Sequence, residues 1–255
     1  METTARTRYS VVQEPRGGIY RGLIRFMQAI GDAASIAVRG PDPISVVLQS
    51  TLEKLEPFFE SASELPAVRG IGHPTRVFRY RLSEKCIDVL CAEVNGLYEW
   101  LQPQRPEDLC IVRDNVPCLT TVAHERMAYL DLLPEEYEKI ESAVPGLVLY
   151  EGDFMRGTGQ EMYRLFSGYL DDYFLSKGFS VEAALAKYVA ETPAEKLDEV
   201  VASIRRVVFS LKGEAILRVV IERLGGSGAL LGSKSPSSTL GWVADTIERV
   251  KRGTN

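Results

Sequence analysis

Histidine and cysteine are scarce: two of the first and four of the second in 255 residues. The histidines, His73 and His124, stand too far apart in sequence to form a helical metal pair. The cysteines, Cys86, Cys91, Cys110 and Cys118, show no CxxC spacing. Cys86 and Cys91 fall on an expected helix, about 140° apart round its axis, so they share no face. Cys110 and Cys118 flank an expected hairpin that turns at Asp114-Asn115. Its register pairs Cys110 with Leu119 and Ile111 with Cys118, which puts the two sulfurs on opposite faces of the sheet. Each cysteine therefore reads as a small buried hydrophobe, and neither a disulfide, a metal nor an organic cofactor is expected.

Long apolar runs are missing too. None approaches the roughly 20 residues that a membrane span needs. The start, METTARTRYS, is polar with no hydrophobic segment behind it, so the pattern predicts no signal peptide, no membrane and a cytoplasmic protein. Excess positive charge is absent as well, since 30 Lys and Arg face 35 Asp and Glu. A phosphate footprint needs a basic stripe, so nucleic acid is not an expected partner. The loop GGSGALLGSKS comes near a phosphate-binding loop. It follows a helix, however, and Ser233 separates Gly232 from Lys234, so the required GK[ST] order fails.

What is present reads as α+β, an antiparallel sheet with helices over residues 1–150, followed by an all-α region over 160–255. Ile19 to Gly31 predicts a helix and Ser35 to Arg39 a strand. Asp42-Pro43 predicts the start of a helix carrying Ile44, Val47, Leu48, Leu52, Leu55 and Phe59. Thr75 to Leu82 reads as a strand. Ser83 caps a helix expected to reach Trp100 or Leu101. Strands follow at Leu109–Arg113, Pro117–Ala123 and Met127–Leu132, with Pro117 favouring a sheet edge because it lacks a donor. Pro134 opens another helix. The pattern changes type between Tyr150 and Gly159, where the domain boundary is placed.

Beyond that boundary Met162, Leu165, Phe166, Tyr169 and Leu170 make one apolar stripe. Ser180 opens a second helix with Ala184, Leu185, Tyr188 and Val189. Thr192-Pro193-Ala194-Glu195 has the order of a capping box, ahead of Leu197, Val200, Val201, Ile204, Val208 and Leu211 at helical spacing. Further helices are expected through Ile216 to Leu224 and Thr239 to Val250. Charge is segregated here, with 5 basic against 10 acidic residues in 151–200 and 9 against 4 in 201–255. The acidic part holds a cluster of aromatic and acidic residues, Tyr169, Asp171, Asp172, Tyr173 and Phe174. Exposed tyrosine beside carboxylate suits recognition of a basic protein surface, while rings turned inward with the aspartates in water is the plain structural alternative.

From Leu165 to Arg252 the chain resembles immunity proteins of bacterial contact-dependent growth inhibition. The matching parts are Tyr169-Leu170-Asp171-Asp172-Tyr173-Phe174 after a short helix, Val181 to Val189 ending in an aromatic-Val pair, the long helix Thr192 to Leu211, and Trp242 to Val250. It departs from that pattern at Tyr173, where the family expects aspartate before the aromatic. The first half is similar to uncharacterised bacterial proteins in its Leu97-Tyr98-Glu99-Trp100, Pro106-Glu107-Asp108-Leu109-Cys110 and Ala123-His124-Glu125 segments. The resemblance implies a non-catalytic protein that neutralises a cognate toxin, with Tyr169, Asp171, Asp172 and Tyr173 as the partner-binding residues, and the acidic charge of the segment points to a basic toxin. Two other readings stand beside it. One is an enzyme with a general base at His124 and Glu125; the other is an interaction scaffold without a toxin partner.

Overall fold

The computed structural model describes residues 5–40, 45–66, 74–152, 160–171, 178, 180–211, 213–226, 228–231 and 234–253. Contacts divide the chain into two compact units, Met1–Glu151 and Gly152–Asn255. The first holds an eight-stranded antiparallel sheet with helices and the second is built of helices, so the class is α+β.

The strands are β1 (Thr7–Val11), β2 (Ala33–Arg39), β3 (Phe59–Leu65), β4 (Thr75–Arg81), β5 (Glu107–Arg113), β6 (Val116–Val122), β7 (Met127–Leu132) and β8 (Leu149–Glu151), in the order β3-β4-β2-β5-β6-β7-β1-β8. Side chains alternate between the two faces, as strand geometry requires. Ala34, Ile36, Tyr80, Leu109, Ile111, Leu119, Ala128, Leu130 and Leu132 enter one core. Ser35, Cys110, Thr120, Tyr129 and Ser10 line up in register along the opposite face.

Helices α1 (Gly18–Ile30), α2 (Val46–Leu55), α3 (Glu84–Glu93) and α4 (Pro134–Ala143) complete this unit. Tyr20, Leu23, Ile24 and Met27 of α1 are fully buried at i, i+3, i+4 spacing. Gly31 ends α1, where a Cβ would stand 2.4 Å from Ile111 Cγ2. Several of the polar atoms inside are paired. Trp100 Nε1 donates to the Tyr20 hydroxyl at 3.0 Å, and that hydroxyl donates to the Leu90 carbonyl at 2.9 Å. Glu93, at the end of α3, accepts from Thr51 at 2.6 Å and Lys54 at 2.6 Å and lies 3.5 Å from Arg105. Glu136 accepts from Arg113 at 2.5 Å and from the Leu133 amide at 2.9 Å.

Several expectations are corrected. The α3 helix stops at Glu93, because Val94 is extended and Gly96 bridges to Arg16; Leu97–Glu99 then form a separate 3-10 turn. Ser45, accepting from the Leu48 amide, caps α2; Asp42, Pro43 and Ile44 lie outside the described residues. Phe59 leaves the helix stripe and begins β3, a strand not expected, as β1 and β8 were not. Strand β6 is interior. Its pairing with β7 runs only from Leu119 to Val122, so Pro117 lies past the point where a donor towards β7 is needed. In the hairpin Cys110 pairs with Thr120 and Ile111 with Leu119, a shift caused by an irregularity between Ile111 and Val112. Cys118 still faces the core and Cys110 the opposite side, and all four cysteines are free. Burial pushes the Cys86 and Cys118 thiols up to about 11.

The helical unit contains α5 (Gln160–Gly168), α6 (Val181–Glu191), α7 (Ala194–Ser210), α8 (Glu214–Arg223), the single turn α9 (Gly228–Leu231) and α10 (Pro236–Gly253). Helix α10 packs on α6, α7 and α8, and α5 packs on α7. Met162, Leu165, Phe166, Leu185, Tyr188, Val200, Ile204, Val220, Ile221, Leu240, Val243 and Ile247 fill its core. Ser180 caps α6 by accepting from the Ala183 amide. Capping of α7 differs from the capping box: Pro193 takes the cap position with no side-chain bond, and Thr192 is buried. Val207 rather than Val208 is the buried member of the stripe. Among the described residues no helix is long and apolar enough to cross a membrane.

Candidate partner-binding site

Tyr169 sits where α5 ends, its amide bonded to the Leu165 carbonyl at 3.1 Å. It is 9% exposed and meets Tyr188 edge-on, with ring centroids 5.2 Å apart at 72°. Its hydroxyl donates to the Glu191 carboxylate. Burial, then Glu191, raises the Tyr169 phenol above its ordinary value. This ring therefore ties the end of α5 to the end of α6 rather than standing free for a partner. Asp171, two residues on, is half-buried. Asp172, Tyr173 and Phe174 lie outside the described residues.

Carboxylates nearby face water. Glu182, Glu191, Glu195, Asp198 and Glu199 are all exposed on α6 and the first half of α7. Lysines answer some of them: Lys196 meets Glu199 at 2.8 Å and Lys251 meets Asp198 at 2.6 Å. Such exposed pairs hold little energy, so the acidic character stays available to an approaching cation.

In the sheet unit His124 and Glu125 occupy an exposed 3-10 turn after β6, with Nε2 and Oε1 3.6 Å apart. The fold brings this turn to Glu107 and Asp108 at the start of β5. The Asp108 carboxylate accepts from the Ala123 amide at 2.8 Å, and Arg39 lies 2.6 Å from Glu107 and 3.4 Å from Asp108. Burial raises the Glu107 carboxyl, against Arg39, which lowers it; Asp108 adds to the rise and His124 opposes it. Asp108 and Arg126 both hold left-handed backbone, with φ of 57° and 53°. Among the described residues no group of three or more His, Cys, Asp or Glu is placed to hold a metal ion.

Cations of β4 and of the Gly/Ser loop are engaged within the chain. Arg79 pairs with Asp32 at 2.9 Å and Glu60 at 3.2 Å, and Arg76 lies over the Phe78 ring. Lys234 holds its ammonium 4.6 Å from the Trp242 ring centre, a cation–π contact. Gly232 and Ser233 lie outside the described residues.

One surface was missed from the sequence. Ile204, Arg205, Val208, Phe209 and Gly241 line a groove of about 420 Å³ between α7 and α10, and Phe209 beside it is 84% exposed. The signal was there: Phe209 stands five residues past Ile204, about 140° round the helix, so a stripe centred on Ile204 already turns it outward. No family model, no curated protein and no solved structure matches the chain.

Proposed function

We propose that this chain is a non-catalytic immunity-type protein that binds and neutralises a cognate bacterial toxin in the cytoplasm, one copy covering one toxin. The observation carrying this reading is the contact of Tyr169 with Tyr188. It joins the aromatic of the first matching segment to the aromatic of the Tyr188-Val189 pair, so two marks of the resemblance meet in one place. The short helix, the capped helix, the long helix and the Trp242 helix also follow in the order the resemblance implies. With Tyr169 packed inward, recognition falls to Asp171, Asp172, Tyr173 and the exposed carboxylates of α6 and α7, which suit a basic partner.

The test is protection. Cells expressing a toxin domain captured on this chain from a native lysate should grow when the chain is co-expressed and stop when it carries Asp171→Lys with Asp172→Lys. Charges at a contact rim act on association rate and salt dependence, and desolvated pairs cost about 2–5 kcal/mol when one partner is lost. Full protection by the double variant, with low-salt affinity unchanged, would move the contact elsewhere. Absence of protection by the native chain would end the immunity reading.

A second reading rests on Glu107. A buried carboxyl with a raised pKa beside His124 is the kind of pair that general acid–base chemistry uses. It makes this chain an enzyme acting at the His124 end of the sheet, and Glu107→Gln abolishing a turnover that leaves the melt unchanged would favour it over immunity.

A further inference from the structure

We propose that the α7–α10 groove is a self-association surface, and that its occupant is Phe209 of a second copy of this chain. This inference is independent of the toxin-binding reading.

Shape supports it first. Phe209 is a large apolar side chain left 84% exposed, and with Ile204 and Val208 along the same groove it forms a contiguous apolar patch rather than a lone exposed ring. The groove beside it is walled by Ile204 and Val208 and reaches Gly241, where even an added Cβ would meet nothing within 4 Å. Knob and hole therefore share one face, which is what an isologous two-fold contact requires.

Levels along the helices support it next. Helices α7 and α10 run antiparallel, with Asp198 level with Lys251, Arg205 level with Asp245 and Glu248, and Phe209 level with Gly241. A two-fold axis parallel to the seam between them keeps each level and exchanges the helices. It lays α7 of one copy on α10 of the other, so that Phe209 meets Gly241 of the second copy at the same height.

Charge agrees with that arrangement. Within one copy Arg205 lies 3.3 Å from Asp245 and 3.0 Å from Glu248, and all three side chains are substantially exposed. The same rotation brings Arg205 against Asp245 and Glu248 of the second copy, so opposite signs meet and the rim is complementary to itself.

Sedimentation velocity on the full chain over a range of concentrations tests this. The native protein should sediment as a dimer that dissociates on dilution. Phe209→Glu, which changes an exposed side chain, and Gly241→Leu, which fills the hole on the opposite wall, should each leave a monomer with the melt of the native protein. Neither disturbs the acidic surface assigned to the toxin, so protection in the growth assay should survive both. A native chain monomeric at every concentration, including the case in which some other protein fills the groove, overturns the proposal. So does a dimer that persists in either variant.

Discussion

The two units solve the same problem with different materials. In the sheet unit, charged and polar side chains are taken below the surface and answered there: Glu93 by Thr51, Lys54 and Arg105, the Tyr20 hydroxyl by Trp100 and Leu90, and Glu136 by Arg113. In the helical unit the buried side chains are mostly apolar, the polar ones among the described residues being the small Thr192, Ser203, Thr239 and Thr246, and ion pairs such as Lys251–Asp198 and Arg205–Glu248 lie at the surface. A buried polar group left without its partner costs far more than an exposed one. The sheet unit should therefore be brittle towards removal of its buried charged groups, and the helical unit tolerant of changes to its surface charges.

Glu93→Ala should break that contrast open most clearly, costing about 2–3 kcal/mol in a denaturant titration, because Thr51, Lys54 and Arg105 lose the buried carboxylate they share. The loss should also depend on pH. Burial alone would raise the Glu93 carboxyl, but the hydrogen bonds from Lys54 and Thr51, with the charges of Lys54 and Arg105, outweigh it and hold it below its ordinary value. A depressed carboxylate contributes stability above its unfolded pKa and loses it as pH falls through the folded one, so native and variant should converge in acid. Tyr20→Phe comes next, at about 1–3 kcal/mol, because the Trp100 N–H and the Leu90 carbonyl lose their shared partner without any change of shape. In the helical unit Ile204→Val should cost about 0.5–1.5 kcal/mol, read as a lower midpoint at unchanged slope. Lys251→Ala should be the mildest, about 0.2–1 kcal/mol and smaller still in high salt. A Lys251→Ala loss rivalling that of Glu93→Ala would erase the distinction between the units.

Much of this architecture could be read from residue order, and the failures have definite causes. Helices with a three-to-four spacing and a local cap were legible: Ser83 and Ser180 cap the helices they open. Strand β3 was not, because FESASEL has no alternation to betray it and all seven residues are exposed; pairing with β4 alone makes it a strand. Strand β1 escaped for a related reason, since its partners lie more than a hundred residues away. The hairpin register slipped by one because an irregular step between Ile111 and Val112 leaves no mark in composition. At the candidate site, the apolar spacing of Tyr169 with Met162, Leu165 and Phe166 already argued for an inward ring, and packing on Tyr188 agrees. The meeting of Asp108 with the turn that carries His124 depends on how β5 and β6 pair, which local sequence does not encode.

Strand β1 lies between β7 and β8, with Thr7 opposite Leu132 and Val11 opposite Leu149. A ribosome therefore delivers this interior strand first and both of its neighbours last. Until residue 151 has left the exit tunnel, the nascent sheet cannot close around β1, whose hydrogen-bonding edges must wait in solvent or on a chaperone. Contacts this distant in sequence slow folding, so the sheet unit should assemble at the end of its own translation rather than strand by strand.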